Sequence, residues 1–257
     1  MPGTELNRVR AFLSAFARRQ APSVVDVPGG FAVRDDALPY SHADNQVIID
    51  GDAEPEALPG IADEVLGGLP HRLITVLRDQ AGAGCAPALV RAGYTHSTSL
   101  IMLHTGPLPE LGSLATAAGP VELDAFREPL TRRWRSFLPH GAEEAVRQLV
   151  DRRLARLRGA DTVYFIGARA EDGEVASWAD LYLDAVGGTA QFEDFLTSEA
   201  HLRKGYGRAV MAAALHRAAD AGCGTRFLLA DESDWPRHWY QRLGFEPLGR
   251  VHSFERG

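Results

Sequence analysis

The feature that most constrains this chain is a glycine turn placed between a strand pattern and a helix pattern. The segment TAQFEDFLT (Thr189–Thr197) alternates as a β-strand does, and Gly207–Ala219 places its apolar residues on one side of a helix. LRKGYGR (Leu202–Arg208) joins them, and Gly205 and Gly207 let its backbone bend tightly and approach a ligand. The pattern therefore predicts an α/β fold with a possible ligand site at this turn.

The chemistry of the turn is that of an anion site. Backbone amides at a helix N-terminus point outward together, and the helix dipole favours negative charge there. Arg203, Lys204 and Arg208 add positive side chains around the same place. These features suit a pyrophosphate. A lone Gly-x-Gly usually marks only a tight turn, but the preceding strand, the basic neighbours and the following helix favour the binding site.

Composition narrows the class of protein. The 257 residues are enough for two domains, and the net charge of −7 argues against nucleic acid as a partner. Cys85 and Cys223 are isolated, which fits a reducing compartment, so the expected location is the cytoplasm. The N-terminal segment reads as an amphipathic helix, and no stretch has the length of a membrane span. No metal-ligand spacing relates the histidines and cysteines, so no metal site is expected.

The order of elements indicates two related halves. His71–Asp79 reads as a strand, Ala86–Ala92 as a short helix and Ser99–His104 as a strand, and the second half closes in the same order. Gly106–Pro120, rich in Gly, Pro and small residues, reads as the linker. We therefore predict tandem domains, 1–112 and 113–257. In the second half, a helix over Ala142–Leu157 and a hairpin around Glu171-Asp172-Gly173 complete an α/β pattern.

Two segments resemble the GNAT superfamily of acyl-CoA-dependent N-acetyltransferases. FLTSEAHLRKGYGRAVM is similar to the acetyl-CoA signature Q/R-x-x-G-x-G/A, with Leu202 where the family usually has Gln or Arg. RHWYQRLGFEPLGR resembles the family's closing pattern, a helix that ends in Tyr-x-x-x-Gly-Phe. The resemblance implies an α+β fold in which each tandem domain is a mixed, mostly antiparallel twisted sheet flanked by helices.

The resemblance also implies a cofactor site. Acetyl-CoA would serve as co-substrate, and the backbone of Phe195–Thr197 would pair with its pantetheine arm and polarise the thioester carbonyl. The cofactor-binding residues expected on this basis are Phe195, Leu196, Thr197, Leu202, Arg203, Lys204, Gly205, Tyr206, Gly207 and Arg208.

The resemblance implies an acid, while the base has more than one candidate. Tyr240 stands where a tyrosine of the family often protonates the departing CoA thiolate. Gln191 occupies the position of the usual glutamate and is unable to act as a base, so Glu193, on the same strand face, is the natural substitute. The alternative is a water held by the acidic loop of Asp231, Glu232 and Asp234.

The first half lacks the cofactor signature. After the strand Gln46–Asp50 comes GDAEPEALPG, which has no Gly-x-Gly and carries Asp52, Glu54 and Glu56 where a pyrophosphate needs positive charge. We expect this domain to be a degenerate copy with a structural or substrate-shaping role.

The sequence therefore supports an N-acetyltransferase that moves an acetyl group from acetyl-CoA to a primary amine by direct attack in a ternary complex. A non-catalytic acyl-CoA-binding or sensing protein is the alternative, because Gln191 and Leu202 depart from the usual pattern. A purely structural two-domain protein is a third possibility.

Overall fold

The protein is described from a computed structural model that covers residues 2–111 and 118–257. The predicted boundary between residues 112 and 113 and the middle of the predicted linker lie outside these described residues, and the boundary stays a prediction. Within the described residues, no helix has both the length and the apolar character that a membrane span requires.

Contacts divide the chain into two compact units whose segments alternate along the sequence. Unit 1 consists of Met1–Met102, Leu229–Gln241 and Glu246–Gly257, and unit 2 consists of Leu103–Leu228 and Arg242–Phe245. The C-terminal segment of the chain therefore belongs to the same unit as the N-terminal residues.

Helices and strands follow one another along the whole chain. The first half contains α1 (Pro2–Gln20), β1 (Ser23–Val27), β2 (Gly30–Arg34), β3 (Gln46–Ile49), α2 (Leu58–Val65), β4 (Arg72–Val76), α3 (Asp79–Arg91) and β5 (Thr95–His104). The second half contains β6 (Ala118–Pro120), α4 (Arg127–Phe137), α5 (Glu143–Asp151), α6 (Arg153–Arg156), β7 (Thr162–Arg169), β8 (Val175–Asp184), β9 (Thr189–Thr197), α7 (Tyr206–Asp220), β10 (Thr225–Asp231), α8 (Pro236–Arg242) and β11 (Phe245–Arg256).

In unit 1 the strands lie in the order β1-β2-β3-β4-β11-β5. β1 pairs with β2, β2 with β3 and β4 with β11 in antiparallel fashion, whereas β3 and β4 are parallel. Apolar side chains of these strands pack against Leu58 and Ala62 of α2 and against Cys85 and Leu89 of α3, which forms the core of the unit. Burial of this apolar face is what holds the helices on the sheet.

In unit 2 the strands lie in the order β10-β9-β8-β7-β6. The neighbours from β6 to β9 are antiparallel, and β9 and β10 are parallel. The directions of β7 to β10 thus repeat those of β1 to β4. Phe126 and Leu130 pack with Trp178 and its neighbours in the core of this unit. The predicted fold class, a mixed and mostly antiparallel sheet flanked by helices in each of two related halves, is confirmed.

Two helix predictions had wrong bounds. The helix predicted over Ala86–Ala92 begins at Asp79, because Gly82, Gly84 and Pro87 made a helical segment look like a turn. The single helix predicted over Ala142–Leu157 is interrupted at Arg152, which separates α5 from α6.

The glycine at position 82 of α3 is required by a buried histidine of unit 1. The ring of His252 lies so close to Gly82 that a Cβ added there would fall 2.4 Å from ring atoms. That ring is fixed by hydrogen bonds on both sides, between Nε2 and Asp79 at 3.0 Å and between Nδ1 and His96 Nε2 at 2.9 Å. The helix therefore approaches β11 more closely than any side chain would allow.

Gly82→Ala is expected to destabilise the protein, because His252 has no room to move away from an added methyl group. A loss of roughly 1–3 kcal/mol in the free energy of unfolding is typical of such overpacking. Gly84→Ala is the matched control in the same helix, since nothing lies within 4 Å of its added Cβ. Alanine is the better helix former, so this control should be neutral or stabilising by up to about 1 kcal/mol. Denaturant unfolding of both variants measures the difference, and equal effects would contradict the packing argument.

Candidate functional site

The strand that precedes the glycine turn contains a bulge. In the pairing of β8 with β9, Trp178 lies opposite Leu196 and Asp180 lies opposite Glu193. Two residues of β9, Asp194 and Phe195, therefore face one residue of β8. Asp194 takes up the extra length in a left-handed conformation, with φ of 49°, which a residue other than glycine rarely adopts.

Beyond the bulge, β9 extends past its pairing with β10. Its parallel pairing with β10 ends at Phe192 and Leu228, and β9 continues for five more residues to Thr197. On the other side, β8 holds this end of β9, because Ser177 Oγ donates a hydrogen bond to the carbonyl of Leu196 at 2.8 Å. A strand that extends beyond its neighbour can offer backbone N–H and C=O groups to an extended ligand.

The glycine turn is seated against that end of β9. Gly205 caps α7 with φ of 89°, and Arg203 is also left-handed with φ of 61°. A Cβ added at Gly207 would lie 3.1 Å from Thr197 Oγ1 and 3.3 Å from Phe195 Cζ. The two glycines thus have different tasks: Gly205 makes the turn possible, and Gly207 lets the first turn of the helix reach the strand. The structure brings the predicted turn and the predicted strand residues together.

The electrostatics of the turn are positive. Arg203, Lys204 and Arg208 are exposed, and none of them forms an ion pair with the carboxylates in the described parts of the chain. Leu202 is half exposed and supplies only its backbone polar groups. Together with the amides of the helix N-terminus, these side chains form a positively charged surface whose chemistry suits a phosphorylated group.

A cluster of buried ion pairs lies behind the bulge. Arg153, only 2% exposed, binds the fully buried Asp180 and also Asp194, each at 3.2 Å. Arg152 binds Asp194 at 3.0 Å. Burial raises the pKa of Asp194, but the guanidinium groups of Arg152, Arg153 and Arg156 overcome that effect and hold the pKa below its usual range. Asp194 is therefore ionised, and its contacts fix the bulge.

Glu193, the base predicted from the sequence, belongs to the same cluster. Its carboxylate accepts a hydrogen bond from Arg156 at 3.1 Å and one from the buried amide of Gln191 at 3.4 Å. Burial raises the pKa of Glu193 and the charge of Asp194 adds to the rise, while Arg156 opposes it; the net pKa lies above its ordinary value. The side chain of Glu193 has a relative solvent accessibility of 32%. A partly accessible carboxylate with a raised pKa is suited to accept a proton.

The remaining predicted groups lie in unit 1. Tyr240 is buried on α8, and burial raises its pKa to about 12, so its hydroxyl stays protonated at neutral pH. Asp231 accepts hydrogen bonds from Ser233, and Glu232 is bound by Arg250 at 2.8 Å. These bonds lower the pKa of both carboxylates, which makes them weaker bases than Glu193.

Sequence reasoning missed the arginine cluster. The signal was present in SWADLYLD, because Asp180 stands in a strand that is otherwise apolar and buried, and a buried carboxylate needs a partner. Arg152, Arg153 and Arg156 form a run of cations directly after the helix α5, whose apolar residues predict that it packs against the sheet.

Sequence and structure comparisons agree with this geometry. Residues 124–245 match the acetyltransferase (GNAT) family. This segment is therefore a GNAT-family domain, as the signature around Gly205 predicts, and the family generally uses acetyl-CoA. The match of residues 124–245 to this family supports an acyltransferase activity. No curated protein matches the sequence of the chain.

Several solved structures share the fold over almost the full chain. A GCN5-related N-acetyltransferase from Kribbella flavida is 18% identical, with a TM-score of 0.63 over 96% of this chain and 95% of that one. A tandem GNAT protein from the clavulanic acid biosynthesis pathway is 13% identical, with a TM-score of 0.54 over 99% and 95%. A functionally unknown conserved protein from Staphylococcus epidermidis ATCC 12228 is 13% identical, with a TM-score of 0.66 over 91% and 93%. At such identities the likeness concerns the fold, and it supports the tandem arrangement.

Asp194→Asn is expected to lower the free energy of unfolding by roughly 3 kcal/mol at pH 7, because it removes a buried charge from between arginines. The folded-state pKa of Asp194 lies below its value in the unfolded chain, so the stabilisation is present above about pH 4 and is lost as the pH falls through the folded-state pKa. The gap between wild type and variant should therefore shrink as the pH is lowered from 5 towards 2.

Asp124→Asn is the control for this measurement. Its carboxylate is 90% exposed and contacts Arg127 at 3.3 Å, an arrangement that contributes little to stability. A comparable loss in both variants, or a gap for Asp194→Asn that does not depend on pH, would show that the buried cluster does not hold the bulge.

Proposed function

We propose that this protein transfers an acetyl group from acetyl-CoA to a primary amine by direct attack in a ternary complex. The observation that carries the proposal is the contact between the glycine turn and the end of β9. Because Gly207 has no side chain, the start of α7 packs directly against Thr197 and Phe195. A positively charged turn and a strand that extends beyond its neighbour β10 thus lie side by side, which supports the binding of an extended acyl-CoA along both.

In this proposal the cofactor is held mainly by backbone groups. The amides of Gly205, Tyr206 and Gly207 bind the pyrophosphate at the start of α7, with Arg203, Lys204 and Arg208 as additional cations. The edge of Phe195–Thr197 pairs with the pantetheine arm as an added strand. Leu202 provides no side-chain hydrogen bond, and the neighbouring cations compensate for that loss. Acetyl-CoA, when bound, supplies the activated thioester.

The chemistry requires three proton transfers: one from the substrate ammonium, one from the nitrogen as the amide forms, and one to the departing thiolate. Glu193 takes the proton of the substrate ammonium, directly or through a water, and the amine then forms the C–N bond at the thioester carbonyl. A backbone amide near Leu196 stabilises the negative charge that develops on the carbonyl oxygen. As the C–S bond breaks, Tyr240 donates its proton to the CoA thiolate and takes back the proton that the nitrogen loses as the amide forms. The raised pKa of Glu193 makes its carboxylate a better proton acceptor. The raised pKa of Tyr240 keeps its hydroxyl protonated and able to donate.

A non-catalytic acyl-CoA-binding protein is the second candidate function. Leu202 has no side-chain donor for the pyrophosphate. The ion pair between Glu193 and Arg156 competes with the use of Glu193 as a base. A CoA-release assay against a panel of amines separates the two functions.

For the location of the protein we propose the cytoplasm, because Cys85 and Cys223 are both free thiols. We propose no nucleic-acid partner for a chain of charge −7.

Gly205→Asp should abolish acetyl-CoA binding, because it places a carboxylate where the pyrophosphate is proposed to bind. Gly222→Asp is the matched control at the other end of α7. Gly222 has a similar positive φ, 77°, and nothing lies within 4 Å of its added Cβ. Both variants place a side chain at a positive φ and add the same new charge. Calorimetric titration with acetyl-CoA should show binding to the control alone, and unchanged affinity of Gly205→Asp would remove the cofactor assignment.

The pH profile of turnover tests the proposed acid and base. A base must be deprotonated, so kcat/KM should rise with pH through the raised pKa of Glu193, and Glu193→Gln should remove that rise and slow turnover by roughly 100-fold or more. Tyr240→Phe should lower kcat far more than it weakens acetyl-CoA binding. If Glu193→Gln keeps both the rate and the acidic limb, the water held by the acidic loop becomes the better hypothesis.

A further inference from the structure

A cavity of about 370 Å³ opens beside the end of β9, wholly within unit 2. Trp178, Leu196 and Pro129 form its apolar wall, and Leu196 is the residue whose amide is proposed to polarise the thioester. The volume falls in the range of small-molecule sites. Under the proposed function, this is the space next to the reacting carbonyl, so the acceptor would occupy it.

The two arginines that line the cavity differ in their partners. Arg132 is already paired, because it contacts both Glu128 and Glu174. Arg133, its neighbour, lies 3.6 Å above the ring of Phe137 and forms no hydrogen bond or ion pair through its guanidinium within the described chain. Its Nε donor is buried and has no acceptor there. A buried Nε donor without an acceptor is costly unless a ligand supplies one.

One carboxylate of the cavity faces this arginine from a greater distance. The charge of Glu199 acts on Arg133, but the two side chains form no ion pair. Burial lowers the pKa of Arg133 and Glu199 partly offsets that effect; arginine stays charged. The cavity thus presents one cation and one anion, each with unused capacity, on an apolar wall. This pattern is complementary to a molecule that carries both an ammonium and a carboxylate.

We propose that the acceptor is an amino acid, whose carboxylate is bound by Arg133 and whose amine lies towards Leu196 and Glu199. The inference rests on the proposed acetyl transfer and adds the substrate class to it. A carboxylate accepts two parallel hydrogen bonds from one guanidinium, which would orient the amine as well as bind the molecule. Arg133 is thus a binding residue that sets specificity.

The test compares the twenty common L-amino acids with the amines that remain after their decarboxylation. Calorimetric titration of the full chain, with and without coenzyme A, measures each affinity. At least one amino acid should bind more tightly than its amine by roughly 10- to 100-fold, as expected for hydrogen bonds to a charged group. Arg133→Gln should bring that ratio close to one. Arg133→Lys, which keeps the charge, should retain part of the preference and shows that the fold tolerates the change.

Arg135→Gln is the matched control on the same helix, because Arg135 is exposed, pairs with Glu143 and does not line the cavity. It should keep the full preference. The inference is overturned if no amino acid is preferred over its amine, or if Arg133→Gln leaves the ratio unchanged. A preference for phosphoethanolamine over ethanolamine without any amino-acid preference would also overturn the carboxylate assignment.

Acetyl transfer, followed separately by CoA release, distinguishes the two levels of the proposal. Transfer to amines at a rate that ignores both the carboxylate and Arg133 would refute the inference and leave the proposed function intact. Binding of an amino acid that depends on Arg133, with no acetylation of any acceptor, would refute the proposed function and leave only the assignment of Arg133 as an amino-acid-binding residue.

Discussion

The candidate site depends on a buried charge cluster, in which Arg153 lies between Asp180 and Asp194. Each of these charges would be costly to bury alone, so each one constrains the position of the others. The cluster compensates for the left-handed backbone of Asp194, and that backbone in turn creates the bulge. Without the bulge, β9 would continue in register along β8, and its last residues would have a different direction.

The bulge and the glycine turn act on the same few residues. The bulge sets the direction of Phe195–Thr197, and Gly207 lets α7 begin against that segment. Two devices of local geometry therefore produce one surface with backbone donors on two sides. The same charge cluster also includes Glu193, so the group that holds the strand in place shares its environment with the proposed base. Structure and chemistry are coupled here through one set of arginines.

The two halves share one architecture but differ at the position of the candidate site. β3 and β4 repeat the parallel arrangement of β9 and β10, yet the helix between them, α2, has eight residues where α7 has fifteen. α2 begins at Leu58 with Pro59 in its first turn and with no Gly-x-Gly turn before it, and Asp52 is exposed and paired with Arg78. The strand order survives because apolar burial maintains it, whereas an anion site needs particular backbone angles and charges that this half does not have.

The sequence alone determined the strand–turn–helix at Thr189–Asp220, because alternation, glycine and helical periodicity are local properties that need no distant partner. It also determined the likeness of the two halves and the family of residues 124–245. The tertiary structure decided the rest. Residues far apart in sequence meet only after folding, and so the partners of Asp194, the end of the helix at Asp151, the need for glycine at position 82 and the unpaired Arg133 were beyond sequence reasoning. Each of these is set by a long-range contact or its absence in the described chain, and local propensity carries no information about such contacts.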